Sequence, residues 1–521
     1  MNKILKKILA AACLLSTTFS VVACGGSNFG GSYEGEMELG FWAELAQTTA
    51  GTHGSGGLGN NTTGNAVING DPTAAVAYDG SEVTISFYHT MGATLRGILD
   101  AWIPVFNQQY PNIKVEHASY GDYPGLRDQI TTELSANKSP NLAYCYPDHV
   151  ALYQKTGLVA QLDDYIASET MGFTQAEVNE FVRGYYEEGR AYGVDSKLGY
   201  APMYTLPYSK STEVLYYNKT FFEANNLKVP TTWDEMEEVI KQIKEIDQSP
   251  KCIPLGYDSE ANWFITMTEQ LGTPYTSSKA GEKFLFDVEA NHEFVKRLRM
   301  WYQLGYLMTE ETNGGTYTSS LFTQTNPEEK HAYMCIGSSA GASYQIPAAY
   351  TDENNEKKYP FEVGVAMPPQ INKENPRVIS QGPSLCMFKK SNKQEMAATW
   401  LFMKFLTTNL GLQANFSSSS GYAPVIKNLD QKVESYAADF AAAELNPTEK
   451  LQMICVKQCV AQENAMFVSP AFLGSSGARD QVGILMQNCF VNSPAEGQSE
   501  DAFISAEFKK IVDKLIYEYK A

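Results

Sequence analysis

The sequence predicts an α/β fold organised as two lobes, and three observations support this prediction. The chain has 521 residues, 43% of them hydrophobic, so it can bury the cores of two domains. From residue 83 onward, segments with strand periodicity alternate with segments of helical periodicity. Three capping-box patterns announce further helices later in the chain. This alternation is typical of strands that are joined through helices in a largely parallel sheet.

The N-terminus predicts a lipoprotein signal peptide over residues 1–24. Lysines precede an apolar run over residues 8–23, which is shorter than the roughly 20 apolar residues that a spanning helix needs. The run ends in Val21-Val22-Ala23-Cys24, where a small residue precedes a cysteine as in a lipobox. Cys24 is therefore the predicted lipidation site, and an ordinary secretory peptide is the alternative.

Residues 25–80 predict a flexible tether because they are rich in Gly, Ser, Thr, Asn and Ala. A flexible coil of this length has a typical end-to-end distance of about 40 Å. One apolar island, residues 37–45, predicts a short helix within the tether. The tether would connect the lipid to the folded part of the chain.

The folded part can be predicted element by element. The expected order is a strand over residues 83–88, a helix over 95–109 with a kink at Pro104, a strand over 113–118, a helix over 126–135 and a more buried strand over 141–146. Capping boxes predict helix starts at Thr174, Thr232 and Ser391. The second of these helices is expected over residues 233–246 and the third over residues 397–406.

Charge and cysteine usage exclude some classes of function. The net charge of −19 argues against a nucleic-acid partner, which requires a basic face. Apart from Cys13 and Cys24, seven widely spaced cysteines remain, an odd number that does not fit a disulfide framework. We interpret them mostly as small buried hydrophobic residues, and we expect neither a bound metal nor a cofactor.

The segment Gly337-Ser338-Ser339-Ala340-Gly341 fits the G-x-S-x-G pattern of a serine-hydrolase nucleophile. Such a serine needs a base, and in that fold the histidine comes last, yet none of the six histidines follows Ser339. The alternative is a strand, turn and helix start that binds an anion or a polyol through backbone N–H groups and hydroxyls. The sequence therefore favours binding over chemistry at this turn, although paired acids for glycoside hydrolysis stay open.

Several longer motifs carry a family resemblance that covers most of residues 83–515. The segments are "LPYSKSTEVLYYNK" (206–219), "VPTTWDEMEEVIKQIK" (229–244), "GPSLCMFKKSNKQEMAATWLFMKFLTT" (382–408) and "SGYAPV" (420–425). In this order and spacing the chain resembles the extracellular solute-binding proteins of bacterial ABC importers, in the sugar-binding class. Within that class, "ISFYHTMG" (85–92), "YGDYPGL" (120–126) and "KCIPLGYDSEANWF" (251–264) are similar to segments of the glycerol-3-phosphate-binding proteins.

The resemblance implies a ligand site, which we expect at Tyr123, Asp148, Ser211, Trp263, Ser339, Gly382, Tyr422 and Arg479. In the family, the residues that match Tyr422 and Arg479 reach a phosphate, and the guanidinium fork of an arginine suits phosphate oxygens. The residue that matches Trp263 forms an aromatic wall. The family's acid falls here on Pro147 or on Asp148, which could replace it from one residue further on, so the hydroxyl-bearing end of the ligand departs from the family pattern.

The remaining expected site residues would line the crossing between the lobes. Tyr123 matches a tyrosine that contacts the ligand, and Ser211 matches a ligand serine just before the crossing. Ser339 lies in the family's serine- and glycine-rich turn, where Ser338 or Gly341 is an alternative equivalent. Gly382 matches a glycine whose backbone faces the cleft.

The fold implied by the resemblance is the two-lobed periplasmic-binding-protein fold with discontinuous lobes and a ligand cleft between them. We expect an N-terminal lobe of residues 81–212 plus 380–425 and a C-terminal lobe of residues 213–379 plus 426–521. The implied protein is not an enzyme. It would be a monomer, lipid-anchored outside the cytoplasm, that captures a sugar, polyol or polyol phosphate such as glycerol 3-phosphate and delivers it to the permease subunits of an ABC importer. A neutral oligosaccharide-binding protein and an extracellular glycosidase are the alternatives.

Overall fold

The computed structural model describes residues 37–49, 65–441 and 445–520. The predicted signal peptide with Cys24 lies outside the described residues. Within those three ranges, no helix has both the length and the apolar composition that crossing a bilayer requires.

The elements of the chain up to the first crossing between the lobes are α1 (Phe41–Thr49), β1 (Val83–His89), α2 (Ala93–Gln109), β2 (Ile113–Ser119), α3 (Tyr123–Ser135), β3 (Leu142–Cys145), α4 (Pro147–Tyr153), α5 (Asp163–Ala167), α6 (Gln175–Glu180), α7 (Arg183–Glu188) and β4 (Thr205–Pro207). The next elements are β5 (Ser211–Asn218), α8 (Lys219–Ala224), α9 (Trp233–Ile246), β6 (Leu255–Tyr257), α10 (Glu260–Leu271), α11 (Glu289–Gln303), β7 (Leu307–Thr309), α12 (Ser319–Phe322), β8 (Met334–Ser338), β9 (Tyr350–Thr351), β10 (Lys357–Lys358), β11 (Val363–Ala366) and β12 (Val378–Gln381). The last elements are β13 (Ser384–Met387), α13 (Lys393–Thr408), α14 (Leu410–Ser418), α15 (Leu429–Lys432), α16 (Glu434–Ala441), α17 (Pro447–Ala461), β14 (Met466–Phe467), α18 (Ser475–Val491) and α19 (Glu500–Tyr519).

The first lobe is built on a sheet with the strand order β2-β1-β3-β13-β4. The predicted strand–helix alternation produces its parallel part: β1 pairs with β2 from Val83 opposite Ile113 to His89 opposite Ser119, and also with β3. Strand β13 runs antiparallel to β3 and to β4. The core of the first lobe contains apolar residues of the two long helices α2 and α13, including Phe106 and Phe402.

The second lobe is built on a sheet with the order β14-β12-β5-β8-β6-β7, and β11 also pairs with β5. Strands β6, β7 and β8 are parallel, whereas β5 is antiparallel to β8, β11 and β12. Both sheets are therefore mixed, which corrects the expectation of a largely parallel sheet. The antiparallel strands β5, β12 and β13 are those that carry the chain between the lobes, so their direction follows from the crossings rather than from strand–helix–strand units.

Two segments that cross between the lobes lie against each other. The chain leaves the first sheet after Pro207 and returns to it between Gln381 and Ser384. Gly382 has a φ of +85°, and a Cβ there would lie 2.5 Å from the carbonyl oxygen of Ser209, so the close approach requires glycine. This pair of segments forms the hinge region, which we define as residues 208–211 and 381–384.

A buried lysine fastens the hinge region. The Lys210 ammonium contacts the Glu188 carboxylate at 2.8 Å and donates to the Ser384 hydroxyl at 3.1 Å, and the side chains of both charged residues are almost entirely inaccessible to solvent. A buried charge is tolerated when it is paired and hydrogen-bonded. Lys210 therefore ties both crossing segments to α7 of the first lobe.

Part of the predicted tether is folded. Helix α1 overlaps the apolar island at residues 41–45 and packs on the second lobe, where the Trp42 ring lies 6.0 Å from Trp233 and 5.9 Å from Trp301 between ring centroids. The Trp42 indole N–H donates to the buried Glu237 carboxylate at 3.2 Å. Ala66 is buried on the first lobe. The short helix that the apolar island predicts is therefore present, over residues 41–49, whereas the expectation of a flexible coil is wrong for residue 66, because apolar burial outweighs the polar composition around it.

One helix, α13, begins at a different residue from the predicted one, and its N-cap explains the difference. Thr174 and Thr232 form the capping boxes that the sequence predicts. Helix α13, in contrast, begins at Lys393, and its N-cap is Asn392, whose side chain accepts from the N–H groups of Gln394 and Glu395. The Ser391 capping box is therefore a wrong prediction, because an asparagine one residue later serves as an equally good N-cap.

Candidate functional site

A cavity of about 560 Å³ lies between the two lobes, which we call the cleft. The first lobe contributes three tyrosines, Tyr123, Tyr146 and Tyr422. The second lobe contributes hydroxyl and carboxylate side chains from the ends of its strands and the loops that follow, which include Ser211, Glu213, Asp258, Glu310, Tyr317 and Ser338. A solute in the cleft would thus contact both lobes at once.

The first-lobe wall of the cleft is made of packed tyrosine rings. Tyr123 begins α3 and Tyr146 precedes α4, and their ring centroids are 4.5 Å apart. Burial raises the pKa of Tyr123, Tyr146 and Tyr422, so all three phenols are neutral. An aromatic face with a neutral hydroxyl at its edge suits the apolar faces and the hydroxyls of a sugar ring.

The second-lobe wall is acidic. The Glu213 carboxylate accepts from the Tyr257 hydroxyl at 2.6 Å, and burial raises the pKa of Glu213 to about 7. Asp258 accepts from both the N–H and the hydroxyl of Thr318 at 2.6 Å, and burial raises its pKa as well. Burial and the neighbouring Asp258 raise the pKa of Glu310 to about 8. Carboxyl groups held in this way accept and donate hydrogen bonds, and they disfavour an anion beside them.

Arg479 lies beside the cleft rather than in its lining. Its side chain is one-third exposed and its Nε is 3.5 Å from the Asp148 carboxylate, while its Nη1 donates to the Asn262 side chain at 2.6 Å. Both Arg479 and Asp148 line a smaller cavity of about 30 Å³ that shares Tyr146 with the cleft. Arg479, which the resemblance predicts to bind a phosphate, therefore already has a carboxylate partner. Asn262, which accepts from Arg479, also lines the cleft.

Ser339 contacts the beginning of β5 rather than facing the cleft. Its side chain is fully buried, and its hydroxyl accepts from the Thr212 N–H at 3.4 Å. The neighbouring Ser338 caps the 3₁₀ turn Ser339–Tyr344 by accepting from the Ala340 N–H, and Ser338, Ala340 and Gly341 line the cleft. The residues on either side of Ser339 in the G-x-S-x-G turn thus line the cleft. The expectation that Ser339 itself contacts the ligand is corrected, because its side chain is buried.

Two further expected residues are placed elsewhere than the resemblance implies. Trp263 is fully buried in the second lobe, stacked on Tyr257 at 4.3 Å between ring centroids, so it is a core residue and not a cleft wall. Gly382 lies in the hinge region, where its lack of a side chain permits the close approach of the crossings. Of the eight expected residues, Tyr123, Ser211 and Tyr422 line the cleft, and Asp148 and Arg479 adjoin it.

Sequence reasoning missed the acids and the additional tyrosines, which are Tyr146, Glu213, Asp258, Glu310, Tyr317 and Tyr344. Glu213 carries a recognisable signal, because it is a lone charge in a strand whose first six residues are all buried. An ionisable side chain in such a strand needs a partner or a function. The acids and tyrosines in loops offer no comparable periodic signal.

The lobes also contact each other on one side of the cleft. Arg127 of α3 pairs with Asp480 of α18 at 3.0 Å and donates to the Ser476 hydroxyl at 3.0 Å. The Lys155 ammonium lies 5.9 Å from the centroid of the Tyr519 ring at the end of α19. These contacts join the two lobes on the side that carries the Asp148–Arg479 pair.

A second, polar groove of about 820 Å³ continues from the cleft. It shares Ala340, Tyr344 and Tyr422 with the cleft and extends towards Ser418 and the start of α17. Its other lining includes Ser420, Asn446 and Gln452. The cleft is therefore one end of a longer surface that is rich in hydroxyl and amide groups.

Comparison with known proteins adds three findings. Residues 101–447 match the family described as bacterial extracellular solute-binding protein. Over 355 residues the chain is 24% identical to the sn-glycerol-3-phosphate-binding periplasmic protein UgpB of Escherichia coli K12, covering 66% of this chain and 74% of that protein. Solved structures share the fold as well, and the next two are examples. The GacH receptor of Streptomyces glaucescens has a TM-score of 0.63 at 16% identity, covering 84% and 99% of the two chains. UgpB of Mycobacterium tuberculosis, in complex with glycerophosphocholine, has a TM-score of 0.61 at 15% identity, covering 85% and 100%.

Proposed function

Because the chain belongs to the family of bacterial extracellular solute-binding proteins, we propose that it captures a neutral carbohydrate in the cleft and delivers it to an ABC importer. The observation that carries the choice of ligand is the lining of the cleft, with tyrosines on one wall and the carboxyl groups of Glu213, Asp258 and Glu310 on the other. Sugar hydroxyls both donate and accept, so they match carboxyl groups whose pKa values are raised by burial and which can both accept and donate hydrogen bonds.

The charge balance favours a neutral ligand over a phosphate. A phosphate in the cleft would face Glu213, Asp258 and Glu310, and each of these groups repels an anion in a partly desolvated site whenever it is ionised. Arg479, which lines the smaller cavity beside the cleft, is already paired with Asp148. This chain therefore departs from a phosphate-binding arrangement at the position where the resemblance implied one.

The adjoining groove supports a ligand longer than one sugar unit. Tyr344 and Tyr422 stand where the cleft meets the groove, and hydroxyl and amide side chains continue beyond them. An oligosaccharide that enters the cleft with one end would extend along these groups. GacH has been solved in complex with acarbose, and a cycloalternan complex of a Listeria monocytogenes solute-binding protein shares the same fold.

Capture would proceed by closure of the lobes about the hinge region. A ligand that contacts Tyr123 and Glu213 together binds the closed form more tightly than the open form, so it shifts the population towards closure. Lys210 keeps the crossing segments together while the lobes move. The permease of the importer would then recognise the closed form, which the lipid on Cys24 would hold at the membrane surface.

A glycerophosphodiester is a second candidate, and the Asp148–Arg479 pair beside the cleft is the observation that favours it. Opening of that pair would free a guanidinium for a phosphodiester, while the tyrosines and acids would face a cationic head group. The M. tuberculosis relative was solved with glycerophosphocholine, which has both groups.

Calorimetric titration of the full-length chain against a panel of neutral oligosaccharides, glycerol 3-phosphate and glycerophosphocholine tests the proposal. We expect saturable binding of a neutral oligosaccharide. Glu213→Gln should change its dissociation constant, whereas Arg479→Ala should leave the dissociation constant within a few-fold of the wild-type value. Glu434→Gln, at an exposed glutamate of α16, is the matched control. Binding of phosphorylated compounds alone, abolished by Arg479→Ala, would overturn the neutral ligand in favour of the second candidate. Recovery of cleaved sugar after long incubation would instead indicate a glycosidase.

A further inference from the structure

Three side chains of metal-binding type meet in the second lobe, away from the cleft. They are Asp247, Cys252 and His331, and one ligand atom of each lies within 4.8 Å of the others. Cys252 is 1% exposed and His331 is 7% exposed. None of the three lines the cleft or the adjoining groove, so this group has no part in the proposed solute site.

The backbone holds the three residues in place. Asp247 follows the last residue of α9, and its N–H donates to the Ile243 carbonyl at 2.8 Å. Cys252 and His331 face each other in a parallel bridge, where the His331 N–H donates to the Lys251 carbonyl at 3.1 Å and its carbonyl accepts from Ile253 at 2.9 Å. The group is therefore assembled by the fold from three separate segments.

The hydrogen bonds around His331 fix its ring. Nδ1 donates to the Glu329 carbonyl at 2.9 Å, which leaves Nε2 facing the Asp247 carboxylate at 2.7 Å. Histidines that bind metals typically have such a carbonyl partner on the nitrogen that is not a ligand. The Tyr333 hydroxyl also donates to the Asp247 carboxylate at 3.0 Å, so the donors converge on one oxygen.

We propose that Asp247, Cys252 and His331 bind a divalent cation of the Zn²⁺ class. A thiolate, an imidazole and a carboxylate are the three ligand types that Zn²⁺ takes in proteins, and a water would complete a tetrahedron. Ligands at about 2.0 to 2.3 Å from such an ion lie roughly 3.3 to 3.7 Å apart, so side-chain adjustments of about 1 Å suffice.

Binding exchanges protons for the ion. Before binding, one proton lies between the His331 Nε2 and the Asp247 carboxylate, and the Cys252 thiol keeps its proton. The ion takes the place of both protons, which leave to solvent, while Nδ1–H stays on the Glu329 carbonyl. The bound ion would link the end of α9 to the chain segments that precede β6 and β8. Because it binds the folded form, it would also stabilise the second lobe by mass action.

Titration of the reduced full-length chain with Co²⁺, followed by displacement with Zn²⁺, tests this site. We expect one equivalent of Co²⁺ to give a thiolate-to-metal absorption band, and we expect Zn²⁺ to remove the band and to raise the melting temperature. Cys252→Ala should abolish the band, and His331→Gln should weaken Co²⁺ binding at least tenfold. Cys489→Ala, at a buried cysteine of the same lobe outside the group, should keep the band.

The wild-type protein alone can overturn the proposal, so the test does not depend on the variants being folded. Failure of the wild-type chain to bind Co²⁺ or Zn²⁺ in equilibrium dialysis would show that the group is only an Asp–His ion pair beside a thiol. A band that persists in Cys252→Ala would assign the metal to another site. Neither result bears on solute binding in the cleft, so failure here is distinct from failure of the proposed function.

Discussion

Replacement of Glu213 by glutamine should change how the stability of the protein depends on pH. The native carboxyl group is buried against Tyr257, and burial raises its pKa from the usual 4.5 to about 7. The native protein therefore holds this proton up to a higher pH than the unfolded chain does. Stability that is present below pH 4.5 is lost as the pH rises through about 7. Glutamine keeps an acceptor for the Tyr257 hydroxyl but cannot ionise.

The magnitude follows from the difference between the two pKa values. At about 1.36 kcal/mol per pH unit, the interval from 4.5 to about 7 corresponds to about 3 kcal/mol. Relative to wild type, Glu213→Gln should therefore gain about 3 kcal/mol in unfolding free energy between pH 4 and pH 8. Other carboxyl groups of the cleft titrate in both proteins, so their contributions largely cancel in this difference.

Urea unfolding followed by tryptophan fluorescence measures this difference. Four of the six tryptophans, Trp42, Trp233, Trp263 and Trp301, are buried in the core of the second lobe, so the signal reports mainly on the lobe that contains Glu213. Glu434→Gln controls for the loss of one surface carboxylate. Parallel stability curves for wild type and Glu213→Gln from pH 4 to pH 8 would refute the reasoning that burial perturbs this group.

Three further substitutions test the packing and the hinge region. Trp42→Ala should lower the unfolding free energy of the second lobe by about 3 to 5 kcal/mol in urea, because it empties a core site; a loss under about 1 kcal/mol would mean that α1 does not dock. Lys210→Met should cost about 3 to 5 kcal/mol in the same assay because it strands Glu188 in the interior, and an unchanged midpoint would contradict the buried pair. Arg127→Ala removes a partly exposed contact between the lobes, worth about 0.2 to 1 kcal/mol. X-ray scattering should show a larger radius of gyration without ligand, and an identical radius would argue against this contact as a brace.

Much of the fold follows from local patterns in the sequence. Strand β1, helix α9 and the capping boxes at Thr174 and Thr232 are encoded by a few adjacent residues, so periodicity and caps predict them. The direction of β12 and β13 and the docking of α1 depend on contacts that are remote in the chain. Trp42, for example, lies 195 residues from its partner Glu237. Only the tertiary structure determines such contacts.

The site is predicted in part for the same reason. Tyr123 and Tyr422 were identified through resemblance and do line the cleft. Trp263 is expected to do so because the residue that it matches in the family forms an aromatic wall, but the core of the second lobe encloses it. The pairing of Asp148 with Arg479 joins two lobes and could not be read from either segment alone. Because of this pairing and the carboxyl groups on the second-lobe wall of the cleft, we propose a neutral carbohydrate as the ligand instead of a phosphorylated polyol.

A crystal structure of the protein grown with the neutral oligosaccharide that binds most tightly would locate the solute site. We expect sugar units in the cleft, in contact with Tyr422 on one lobe and Glu213 on the other, with Arg479 still paired to Asp148. A ligand bound elsewhere would contradict this placement. So would an anion seated on Arg479 with Asp148 displaced.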